Sequence, residues 1–112
     1  MRFVLPCLCF CACAMSGAPS AGVWVDASDN TAFTFCQTEA GLRLTSAECR
    51  TDGEQYAVIR SGQSHGCFSW VVSIPSTGYL VTYRVTKQQN DALQIDWDNQ
   101  FETGTCLLRR EP

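Results

Sequence analysis

The chain holds a single histidine, His65, so any Ser or Cys triad would have to use it as the base. It sits in Ser61-Gly62-Gln63-Ser64-His65-Gly66, a glycine-bounded stretch with no Gly-x-Ser-x-Gly elbow. That context reads as a solvated loop histidine. Asp96 and Asp98 come next, because glycoside hydrolysis uses two facing carboxylates. Two apart on a strand, they share a face at ~7 Å and oppose Ile95 and Trp97. A solvent-facing strand has the same pattern, and a small barrel offers little cleft. Asp96, Asp98, Asn99 and Glu102 also place four oxygen side chains close together. A calcium loop, however, needs acids at alternating positions around a central glycine, and here Trp97 and Phe101 interleave while Gly104 follows. No phosphate-binding glycine loop is present. The sequence therefore predicts no catalytic residue, no metal site and no cofactor.

Trp70, Tyr79, Tyr83 and Trp97 could stack bases in principle, but that function needs a positive groove. Eight Lys+Arg stand against eleven Asp+Glu, for a net charge of −3, so binding to nucleic acid or to anionic lipid is not expected. The aromatics read as core.

The elements that must position these residues lie in one domain. The chain has 112 residues, 46% of them hydrophobic, which suits a single packed core and not a disordered tail. Residues 1–14, MRFVLPCLCFCACA, carry one charge and then an apolar run ending in Ala12-Cys13-Ala14, the pattern of a removable secretory signal. The run is too short to span a membrane. A lipid anchor at Cys13, after Ala12, is the alternative, and residues 15–22 would form a flexible segment. The expected location is periplasmic or secreted, with an outer-membrane lipoprotein as the other option. Removal of the leader leaves Cys36, Cys49, Cys67 and Cys106, an even number, which in an exported chain reads as two disulfides. The sequential pairing, Cys36–Cys49 and Cys67–Cys106, is the expectation among three.

Residues 23–112 show a period of two almost throughout. Phe68, Trp70, Val72 and Ile74 alternate with smaller or polar neighbours, as do Tyr79, Val81, Tyr83 and Val85, and Leu93, Ile95 and Trp97. Shorter candidates are Val23–Val25, Ala32–Cys36, Leu42–Thr45, Tyr56–Ser61 and Thr105–Arg109. Pro75-Ser76-Thr77-Gly78 and Gln88-Gln89-Asn90-Asp91 supply turn chemistry, Gly78 and Asn90 tolerating a positive φ. Thr45-Ser46-Ala47-Glu48 has capping-box spacing, though Asp52-Gly53 limits any helix there to one turn. The predicted fold is all-β: a small antiparallel barrel or sandwich of seven or eight short strands, stapled by two disulfides.

With no catalytic group in view, the expected function is non-enzymatic protein binding of inhibitor or immunity type. The predicted surface is the loop bearing Gln63, Ser64 and His65, together with the Pro75–Gly78 and Gln88–Asp91 turns. A lipid-anchored envelope protein with a structural or exclusion role is one alternative, and a small hydrolase using Asp96 and Asp98 is another. The size, leader and cysteine layout resemble the small periplasmic lysozyme inhibitors of Gram-negative bacteria. Those proteins carry a Ser-x-Ser-Gly-x-x-Tyr loop that enters the lysozyme cleft. The nearest stretch here, Ser61–Gly66, lacks the tyrosine and the spacing, so the resemblance is architectural and membership is not claimed.

Overall fold

A computed structural model describes residues 18–112. The removable signal expected at 1–14, the alternative anchor at Cys13 and the start of the expected 15–22 segment lie outside the described residues. Eight strands follow in order: β1 (Gly22–Asp26), β2 (Thr31–Thr38), β3 (Gly41–Cys49), β4 (Glu54–Ser64), β5 (Cys67–Ile74), β6 (Tyr79–Gln89), β7 (Ala92–Asp98) and β8 (Thr103–Arg110). Each pairs antiparallel with its successor, and β8 returns to β1, so the all-β fold is a closed barrel and not a sandwich. The closing seam pairs Trp24 with Arg110, Val25 with Arg109 and Asp26 with Leu108. Beyond it the Glu111 N–H donates to the Val23 carbonyl at 2.8 Å. Closure removes the sheet edges that an open meander would leave unpaired.

The period of two does the work the sequence assigned to it. Trp24, Phe33, Phe35, Phe68, Trp70, Val72, Leu93, Ile95 and Leu108 point inward and are buried. Trp70 sits at the centre of an aromatic cluster: its ring meets Phe33 at 5.4 Å, Phe35 at 5.0 Å and Tyr83 at 5.6 Å between centroids. The first two contacts are edge-on and the third is stacked, arrangements that suit the ring quadrupole.

Three bulges curve the wall, each adding one residue to one strand. The register steps at Thr34/Phe35, Val58/Arg60 and Val85/Lys87 leave Thr45, Ile59 and Thr86 as the extra residues. Two of the three are threonines, and each restores a bond to the neighbouring strand. The Thr45 hydroxyl donates to the Thr34 carbonyl at 3.2 Å and the Thr86 hydroxyl to the Gln94 carbonyl at 3.1 Å. Ile59, with no such option, is pushed outward and is exposed.

The structure corrects two local expectations. Thr45–Glu48 forms no helical turn: it lies inside β3, where Ala47 is fully buried and pairs with Phe33 on one side and Tyr56 on the other. Pairing on both sides outweighs a cap that could start only one turn. The expected disulfides are not formed either. Cys36, Cys49 and Cys106 are free thiols, so neither expected pair is made among the described residues. Register explains the first failure. Cys36 lies opposite Arg43, whereas Cys49 lies opposite Thr31, five residues along β2. That is ~17 Å of strand, against the ~7 Å that a disulfide tolerates between Cα atoms. The other pair would have to cross β6 and β7, which separate β5 from β8 in the wall.

Candidate functional site

An up-and-down barrel sorts its turns onto two ends. The β1–β2, β3–β4, β5–β6 and β7–β8 turns gather at one end, called the rim here. The β2–β3, β4–β5 and β6–β7 turns gather at the other, beside the start of β1 and the end of β8. This sorting divides the predicted binding surface. Pro75–Gly78 is on the rim, while His65 and the Gln88–Asp91 turn are at the opposite end. Gln63 and Ser64 are not loop residues at all: both are in β4, paired with Phe68 and Cys67. Only His65 and Gly66 form the turn, with φ of 54° and 84°. Positive φ at both central residues is the two-residue hairpin geometry that matches strand twist.

The rim is where concavity, charge and exposed aromatic surface coincide. A cup of about 320 Å³ opens into the barrel there, with Asp26, Asp29, Tyr79, Tyr83, Trp97 and Cys106 in its walls. Tyr83 forms much of the floor, its ring stacked on Trp70 and edge-on to Phe33 at 4.9 Å. Burial pushes its phenol far above the ordinary tyrosine range. Trp97 lies flat against Gly104, its register partner on β8, where even a Cβ would fall 2.6 Å from the indole. Asp26, at the end of β1, is only 7% exposed. It accepts the Ser28 N–H at 2.9 Å and the Ser28 hydroxyl at 2.6 Å, and its carboxylate lies close enough to Cys106 to raise that thiol.

The rim is also stiff. Glu54 spans two turns by accepting the Ser76 N–H at 2.7 Å and the Ser76 hydroxyl at 2.9 Å. In the β7–β8 turn the Asn99 side chain accepts the Phe101 and Glu102 amides, and Asp98 accepts that of Gln100. Two of the four side chains weighed for calcium, Asp98 and Asn99, therefore fold the turn. Among the described residues no group of three or more His, Cys, Asp or Glu side chains is placed to hold a metal. Asp96 and Asp98 lie on the outer wall with Arg84 and Thr103, and not in the cup.

The turn holds up Phe101, which is 75% exposed, against the ring of Tyr79 at 5.2 Å. Sequence reasoning noticed Phe101 only as an interruption of the acidic run. A lone exposed phenylalanine between hydrogen-bonding turn residues was the available signal. The rim acids are Asp26, Asp29, Asp52, Glu54, Asp98 and Glu102. The one cation in those turns, Arg50, is already tied to Glu48 and Glu111.

Cys106 gives a pH-dependent readout of the cup. Burial first, and the Asp26 carboxylate second, push its thiol up to about 12. The reactive form is the thiolate, so a disulfide reagent at pH 8 should label exposed Cys36 promptly and Cys106 only slowly. The Cys106 rate should then climb about tenfold per pH unit. Because its folded-state value lies above the unfolded one, this thiol favours folding below pH ~9, and that contribution fades as pH rises toward about 12. Prompt labelling of Cys106 at pH 8, followed by mass spectrometry of peptides, would show the carboxylate and burial to be absent.

Comparison with protein-family models, with curated proteins and with solved structures finds no match to this chain.

Proposed function

We propose that this protein is a non-enzymatic protein-binding module of inhibitor or immunity type, exported from the cytoplasm, which engages a basic partner through the barrel rim. The observation that carries the reading is the juxtaposition of exposed Phe101 and Tyr79 with an acidic, aromatic-floored cup. Binding energy at protein interfaces concentrates in a few aromatic anchors beside desolvated pockets, and charge around them steers and selects the partner. A phenylalanine held out by three turn hydrogen bonds loses little freedom on binding, which favours such a role. A cation from the partner would find Asp26, Asp29 and the faces of Tyr83 and Trp97 within one cup. The expectation of export rests on residues 1–14.

The test is recovery of a stoichiometric partner from the native compartment with the natural chain, Phe101→Ala and Asp29→Lys in parallel. The natural chain should recover the partner, and Phe101→Ala should weaken it by about 2 kcal/mol, roughly thirtyfold. Asp29→Lys should weaken it further at low salt than at high salt. A protein that stays alone at every concentration, or a partner bound equally by both variants, removes the proposal.

A further inference from the structure

A second concavity lies on the outer wall, away from the rim. It spans β4, β5 and β6, encloses about 430 Å³, and is lined by Arg60, Ser64, His65, Cys67, Ser69, Thr82 and Arg84. No carboxylate among the described residues lines it, although acids outnumber bases in the chain by eleven to eight. Arg60 and Arg84 flank β5 from either side: Arg60 pairs with Val71, and Arg84 pairs with Ser69. Their backbones are ~12 Å apart, two strand spacings across and two residues along β5, within reach of two converging side chains. Neither guanidinium makes an ion pair or hydrogen bond among the described residues. Even Asp96, the register neighbour of Arg84 on β7, forms no ion pair with it. The Ser64 hydroxyl and the His65 Nδ1 stand 3.0 Å apart at one end of the groove. Ser69 and Thr82 add hydroxyls between the arginines.

Two like charges lining one groove whose lining holds no carboxylate repel, and an anion set between them reverses the sign of that energy. Guanidinium groups present paired N–H donors that match the oxygens of phosphate and sulfate, and the hydroxyls supply further donors. The groove is larger than one free ion requires. We propose that it binds a phosphate or sulfate monoester, the tetrahedral oxyanion lying between Arg60 and Arg84 and its organic carrier along the remaining length. The proposal does not depend on the rim, and its failure would leave the rim reading untouched.

The experiment is a titration of the ¹⁵N-labelled full chain with glucose 6-phosphate, glucose 6-sulfate and acetate at constant ionic strength, followed by amide shifts. One or both esters should produce saturable shifts at Ser64, His65, Ser69 and Thr82, and the ester that binds more tightly identifies the source of the oxyanion. Arg60→Gln and Arg84→Gln should each weaken binding at least tenfold. Arg109→Gln, on another part of the wall, should leave it unchanged. Asp96→Asn should tighten it severalfold by removing a competing charge beside Arg84. Shifts that never saturate, that acetate reproduces at equal concentration, or that survive in the double arginine variant overturn the proposal.

Discussion

Trp70→Ala should cost about 3–5 kcal/mol of folding stability, the range for deleting a large buried aromatic. That is a large part of the ~5–15 kcal/mol that holds a domain of this kind together. The ring is fully buried and bridges residues from three strands, touching Phe33 and Phe35 on β2, Phe68 on its own β5, and Tyr83 on β6. Its removal leaves a hole that those side chains cannot all close, because each is fixed by its own strand. One feature works the other way. The Trp70 indole N–H is buried with no hydrogen-bond partner among the described residues, a cost of about 1–3 kcal/mol already present in the native protein. Trp70→Phe should therefore lose less than half of what Trp70→Ala loses, since it shrinks the ring but also removes the orphan donor. Urea unfolding with an unchanged slope is the measurement. A midpoint for Trp70→Ala equal to that of the natural chain would falsify the central role given to this ring.

Gly104→Val should cost about 1–3 kcal/mol through overpacking and should also close the cup. The backbone at Gly104 does not need glycine for its φ, since the position is absent from the positive-φ residues. What it needs is the missing side chain: a Cβ would meet three indole atoms of Trp97 at 2.6–3.0 Å. The indole is rigid and borders the cup, so displacement moves it toward Tyr83 and Asp26. Partner binding should fall together with stability, whereas Phe101→Ala should lower binding alone. Equal stability and equal binding for Gly104→Val would mean that Trp97 does not occupy the place described.

Much of the fold could be read from alternation alone. The runs 67–74, 79–86 and 93–98 coincide with β5, most of β6 and β7. The turns expected at Gly78 and Asn90 occur with φ of 75° and 50°. These features are local, so residue type decides them. Closure was not local: whether Thr105–Arg109 meets Val23–Val25 depends on the summed twist of seven hairpins and on three bulges, none of which has a sequence signature of its own. The cysteines misled for the same reason. Spacing along the chain makes Cys36 and Cys49 neighbours, and register carries them apart. The site was harder still. Phe101, Tyr79 and Asp26 come from three separated stretches, and only the parity of an up-and-down barrel brings their turns to one end. The same parity separates Pro75–Gly78 from His65, which a linear reading had grouped.

The seam between β1 and β8 sets a temporal order on assembly. Seven of the eight strand junctions are hairpins between consecutive strands, which close with little loss of chain freedom. The eighth joins Trp24, Val25 and Asp26 to partners more than eighty residues away. Contacts of that separation slow folding, because the intervening chain must be arranged before they form. The meander can zip hairpin by hairpin, yet it keeps bare sheet margins until Arg110 reaches Trp24. Until then its safety from self-association depends on whatever holds it meanwhile.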